Sequence, residues 1–324
     1  MNTRLHLLAL AGAVAALHGL GWGLYVWYSR HTPALAGLGT LAYTLGLRHA
    51  FDADHIAAID NTTRKLLHDG KRPLGVGFFF SLGHSMIVFA LTAGLALTAG
   101  VVDAAIPSFQ QAGSTIGASV SGAFLLLIGM LNLFVLADVV RAWRAMRTGQ
   151  RDEQALERRL LDRGVLSRLV LTRIGDRIDT SWKMAPLGAL FGLGLDTASE
   201  IALLALAAGV ATHRVPLPAV LALPTLFAAG MSLLDTADGV FMSRAYGWAF
   251  SNPVRKIYYN ITVTSLSVAV ALVIGMIELL QVTLGLQVLD LGKIGYLVVG
   301  LFVATWAVSL VYWKARGVQE RWTS

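Results

Sequence analysis

The sequence predicts an all-α integral membrane protein with eight transmembrane helices. Of 324 residues, 56% are hydrophobic and 14% charged, and a mean hydropathy of +0.64 leaves too little polar surface to cover a soluble globule of that size. A bilayer core about 30 Å thick needs about 20 apolar residues of helix. Runs of that length recur near 5–28, 36–59, 74–99, 116–137, 185–210, 217–239, 257–284 and 294–313. Strand-like alternation is missing, which favours a helical bundle over a β-barrel.

With these runs in place the basic residues alternate by side. If the N-terminus is cytoplasmic, that face collects Arg4, then Arg64, Lys65, Lys71 and Arg72, the eleven Arg and Lys between 141 and 183, then Arg244, Arg255, Lys256, Lys314, Arg316 and Arg321. The opposite face holds Arg30, Arg214 and Lys293, and Arg48 lies within a run. The positive-inside rule therefore puts both termini in the cytoplasm, with the chain in the cell inner membrane. This side-by-side alternation also accounts for the net charge of +7 without nucleic acid as a partner. Cysteine is wholly missing, so disulfides and thiolate metal sites are excluded.

The first run follows Arg4 and ends in Trp22, Tyr25, Trp27 and Tyr28, an interfacial aromatic belt that suits a retained helix better than a cleaved signal peptide. The second contains RHAFDADHIAAIDN, which places Arg48, His49, Asp52, Asp54 and His55 inside a hydrophobic helix. Each ionisable group near the bilayer centre costs roughly 2.5–3.5 kcal/mol, so this group must be compensated by mutual pairing, water or a bound cation. On a regular helix His49, Asp52 and His55 fall at i, i+3 and i+6, within about 120° of one another, while Asp54 points elsewhere. Either the helix is distorted to bring Asp54 in, or Asp54 supports a ligand His or pairs with Arg48.

The third run carries His84 mid-span in FSLGHSMIV, and the fourth carries Asn132, a weaker candidate. A connector from about 138 to 184 follows, rich in Arg and free of His. It divides the chain into a first transmembrane half at 1–137, the basic cytoplasmic connector at 138–184 and a second half at 185–324. Its charges and apolar residues fit either a solvated loop or an amphipathic helix on the leaflet. The fifth run has Asp196 and Glu200 four positions apart in LGLDTASEI, two acids on one apolar face whose repulsion a cation or a proton would relieve. The sixth has Asp235 and Asp238 one turn apart in SLLDTADG, and the seventh holds Glu278, another weak candidate. The eighth is plainly apolar.

Setting LGLRHAFDADHI beside LGLDTASEIALL, and FSLGHS beside FAAGMS, aligns runs two and three with runs five and six. Three helices separate the copies, an odd number that reverses direction. Runs two to four and five to seven therefore read as an inverted-topology repeat, which places a transport site near the midplane.

The candidate metal set is His49, Asp52, Asp54, His55, His84, Asp196, Glu200, Asp235 and Asp238. Imidazole with carboxylate and no thiolate suits divalent first-row metals such as nickel and cobalt, with zinc and iron chemically open, better than magnesium or calcium. A membrane metalloenzyme is the rival. Of the eight His, however, His6, His18, His31, His68 and His213 lie near ends or loops or stand isolated, and no H-E-x-x-H, nucleophile elbow or phosphate loop is present. No nucleotide-binding motif suggests an ATPase in the chain.

These residues resemble the nickel/cobalt transporter family of bacteria and fungi. Its H-x4-D-H signature appears at His49 to His55, and SLGHS, LGLDTASEI and GMSLLDTADG follow in order over roughly 45–250. The resemblance implies an eight-helix permease of high affinity and low capacity for Ni2+ or Co2+, with those ions as substrate and no cofactor. It also implies an essential role for His49, Asp54 and His55. Met86 departs from the Thr that many members carry. Related exporters tend to have a His-rich connector, so its absence here implies uptake, with export on the same scaffold as the alternative.

Overall fold

The computed structural model describes residues 3–97, 106–147, 178–193, 207, 209, 215–250, 253–285 and 291–315. Among them the helices are α1 (Thr3–Ser29), α2 (Leu38–His49), α3 (Ala53–His68), α4 (Val76–Leu97), α5 (Ile106–Arg147), α6 (Met184–Gly192), α7 (Leu217–Phe250), α8 (Pro253–Leu284) and α9 (Leu291–Ala315). Five helical stretches are long and apolar enough to cross a bilayer: Thr3–Ser29, Val76–Leu97, Thr115–Phe134, Leu217–Gly247 and Ile261–Leu284. They match the expected first, third, fourth, sixth and seventh runs. The eighth run falls in α9, whose apolar part, Ile294–Thr305, is shorter. The fifth is described only at its start, in α6, and at residues 207 and 209, so Asp196 and Glu200 lie outside the described residues. So does most of the connector, although α5 carries the fourth run on to Arg147.

The second run is not one continuous helix but is distorted, one of the two alternatives its charged residues left open. In place of one helix over 36–59 there are two, with the chain interrupted at Ala50, Phe51 and Asp52. The last turn of α2 tightens as Phe51 N–H donates to the Arg48 carbonyl and Asp52 N–H to that of His49. Asp52 is then extended (φ −65°, ψ 139°) before α3 begins. The regular His49–Asp52–His55 stripe is thereby replaced by a bend.

Beyond the bend, α3 does not end at residue 59 but runs to His68, and every residue from Ala53 to Leu66 is buried. Arg64 and Lys65, beyond the end of the expected run, are part of this helix and buried. A helix carrying Asp54, His55, Asp60, Asn61, Arg64 and Lys65 is too polar to face lipid, and it is wrapped by α5, α7, α8 and α9 with a lighter contact to α4. Ile56, Ile59 and Leu66 anchor it in an apolar cluster with Phe80, Leu125, Ile274 and Phe302. Around that centre α5 packs along α8, α6 along α4, and α7 against α1, α2 and α4. Leu97, Val273 and Leu297 are among the large apolar side chains left exposed, as expected of a surface solvated by lipid tails.

Two glycines set the approach of backbones near the bend. A Cβ on Gly295 of α9 would lie 1.5 Å from the Phe51 carbonyl oxygen, and one on Gly77 of α4 would lie 1.8 Å from that of Asp235. Small residues let membrane helices meet this closely. Gly295→Ala must push α9 off the bend, at the upper end of the roughly 1–3 kcal/mol typical of overpacking. Gly300→Ala meets nothing within 4 Å. Thermal unfolding in detergent is expected to show a lowered melting temperature for Gly295→Ala and an unchanged or raised one for Gly300→Ala.

Candidate metal centre

The bend brings three imidazoles together. His49 is the last residue of α2, His55 lies in the first turn of α3, and His84 projects from the middle of α4. On a continuous helix His49 and His55 would be about 9 Å apart along the axis. Here their ring centroids are 4.5 Å apart, with His84 4.8 Å from His49 and 4.9 Å from His55. All three are buried, and one donor atom from each falls within 4.8 Å of the others. A first-row ion with metal–nitrogen bonds of about 2.0–2.1 Å needs only a small inward closure of these rings.

Carboxylates orient two of the rings. His49 Nδ1 lies 2.7 Å from Asp52 Oδ2, and its Nε2 lies 3.0 Å from His84 Nε2. His55 Nδ1 lies 3.4 Å from Asp235 Oδ2 on α7, and its Nε2 has no hydrogen-bond partner. With Nδ1–H donating to the carboxylate in both cases, the His55 Nε2 lone pair is left for a ligand and that of His49 accepts from His84 Nε2–H, a bond a metal ion would replace, in the carboxylate–histidine arrangement usual at metal sites. Asp52, which starts α3, makes no side-chain cap to the helix. It forgoes an interaction typically worth about 1 kcal/mol and serves His49 instead.

The electrostatics favour a cation. The carbonyl end of α2 carries partial negative charge, and the positive end of α3 is offset by Asp52 and by Asp54 in its first turn. Asp54 is 6% exposed and acts electrostatically on both His55 and Asp235. Of the remaining candidates, Asp238 acts electrostatically on Asp235 and has one buried oxygen, Oδ2, without a hydrogen-bond partner. Glu278 is fully buried in α8, and Asn132 Nδ2 donates to Asn61 Oδ1 at 2.7 Å, joining α5 to α3. The described residues thus unite His49, Asp52, Asp54, His55, His84 and Asp235, with Asp238 alongside.

A second buried cluster was not anticipated from sequence. Arg64 Nη2 donates to Asp60 Oδ2 at 3.0 Å and to the Tyr246 hydroxyl, which in turn donates to Asp60, as does Ser267 Oγ from α8. The Arg64 guanidinium carbon lies 4.6 Å from the Tyr246 ring centroid. The one signal in the sequence is Asp60 and Arg64 at i, i+4, the acid first.

The family described as high-affinity nickel-transport protein (NicO) matches residues 35–312. The nickel transporter NicT of Mycobacterium tuberculosis is 54% identical, over 96% of this chain and 89% of the relative. The nickel transporter NixA of Staphylococcus aureus is 48% identical, over 99% and 98% respectively. The cobalt transport protein NhlF of Rhodococcus rhodochrous is 42% identical, over 95% and 92%. No solved structure matches.

The ring geometry predicts a graded loss of affinity. Equilibrium binding of radioactive nickel to detergent-purified protein is expected to weaken about 10–100-fold in Asp52→Asn, which keeps shape but loses the anionic acceptor, and further in His84→Ala. Met86→Ala, at an outward-facing side chain 63% exposed, is expected to leave it unchanged.

Proposed function

The chain belongs to the high-affinity nickel-transport family, and from that premise we propose that it takes up Ni2+ or Co2+ across the cell inner membrane as a permease. It is a membrane transport protein and not an enzyme, and the metal is its cargo rather than a cofactor. The observation that carries the reading is the convergence of three buried imidazoles at a helix interruption. Nitrogen donors with carboxylates behind them suit first-row divalent ions, and the names of the relatives include both a nickel and a cobalt carrier.

In this reading eight spans cross the bilayer with both termini cytoplasmic. Spans two to four and five to seven form inverted repeats, and the connector at 138–184 joins halves 1–137 and 185–324. The five apolar helices and the lean of basic residues to one side support that arrangement. The ion arrives along α2 and exchanges water for the Nε2 atoms of His49 and His55 and a nitrogen of His84. Asp52 and Asp235 hold two of the rings in orientation, and Asp54 supplies negative charge. Asp196, Glu200 and Asp238 receive the ion next as alternating access opens the inner side. Interrupted helices at the midplane are the usual place for such a site, because freed carbonyls and half-helix ends face the cargo.

Uptake of radioactive nickel and cobalt by cells expressing the chain tests this directly. Accumulation well above that of control cells is expected, and it should fall at least tenfold in His49→Ala at equal membrane level. Faster loss from preloaded cells would reverse the assigned direction, and no effect of either metal would refute the cargo.

A further inference from the structure

Five residues past His55, about 7.5 Å further along α3, the chemistry changes from imidazole to carboxylate. Asp60 is fully buried, and Asp238 lies one turn beyond Asp235 on α7, acting electrostatically on Asp60. Asp60 at this depth requires a countercharge, and Arg64 supplies it, while the charges that act on Asp238 are those of the acids Asp60 and Asp235. We propose that Asp60 and Asp238 form a second cation station on the inward path, and that the Arg64 guanidinium is its tethered occupant, which the transported ion displaces. This rests on the reading of the chain as a metal carrier whose α3 leads toward the cytoplasm.

The way Arg64 is bonded supports displacement over bracing. A guanidinium has five N–H donors, and a structural brace uses most of them. Arg64 is 2% exposed, yet its Nε and Nη1 have no hydrogen-bond partner, and both of its side-chain bonds leave from Nη2. Its carboxylate partner is better served, because Asp60 also accepts from Tyr246 and Ser267. Asp60 is therefore fixed by three donors, while Arg64 is held through Nη2 alone and by the face of Tyr246, with Nε and Nη1 unused. Asp238 Oδ2, buried without a partner, is the remaining acceptor from which an arriving ion gains. A divalent ion entering this space repels the guanidinium, so occupation by metal and by Arg64 is mutually exclusive. When the ion leaves, Arg64 returns and opposes its re-entry.

The test counts radioactive nickel bound per purified chain and measures uptake in cells. The intact protein is expected to bind one ion, at the histidines. Arg64→Gln, which vacates the station but leaves its acids, is expected to bind two and to take up nickel at least tenfold more slowly, because the second ion is trapped. Asp60→Asn with Arg64→Gln removes both charges; it is expected to return to one ion at an affinity within threefold of the intact protein, with uptake still slow because the station is gone. One ion in Arg64→Gln at unchanged affinity would overturn the proposal. If that variant does not reach the membrane, the double variant decides: wild-type uptake there would overturn the proposal equally. Failure of the intact protein to bind nickel refutes the carrier reading itself, whereas intact binding and uptake with no second ion in Arg64→Gln refutes only the station.

Discussion

A helix too polar for lipid must be enclosed by protein, and much of this architecture follows from that requirement. From Ala53 to Leu66, α3 presents no exposed residue, although it carries two acids, a histidine, an arginine and a lysine in mid-sequence. In hydrocarbon each such group would cost several kcal/mol. Wrapping α3 with α5, α7, α8 and α9 removes it from lipid. Its own partners then satisfy these groups by hydrogen bonds: Asp235 for His55, Asp60 for Arg64, and Asp69 with the Ile178 carbonyl for Lys65. The enclosing helices come close because glycine lies where backbones meet, as at Gly77 and Gly295.

The same enclosure makes a bend affordable. An interrupted helix exposes backbone groups that lipid cannot satisfy, so it is tolerated only inside protein. Here the interruption folds the end of α2 back on the start of α3 and converts two histidines six residues apart into ring neighbours. The bend, the histidine trio and the burial of α3 form one device: the trio needs the bend, and the bend needs the shelter.

The sequence disclosed the chemistry better than the geometry. Run lengths located the five helices long and apolar enough to cross a bilayer, and the cost of ionisable residues in lipid singled out His49, Asp52, Asp54 and His55, with His84 joining them. The interruption itself carried no punctuation, since Ala50, Phe51 and Asp52 include neither Pro nor Gly. Run length also fell short: the apolar run at 36–59 stops before Arg64 and Lys65, yet α3 continues to His68 and tertiary partners bury both. Nor could spacing reveal that Asp235 supports His55 from 180 positions away, or that Tyr246 meets Arg64 from 182. Asp52 and Asp235 looked like ligands, and their contacts with ring Nδ1 atoms suit them to orienting the histidines instead.

The central claim is that nickel is held by the three imidazoles of His49, His55 and His84. X-ray absorption at the nickel edge on the purified, metal-loaded protein tests it most directly, because imidazole back-scattering counts histidines. A shell with three imidazole nitrogens is expected, reduced to two in His84→Ala. A shell made of oxygen alone, or one indifferent to His84→Ala, would contradict it.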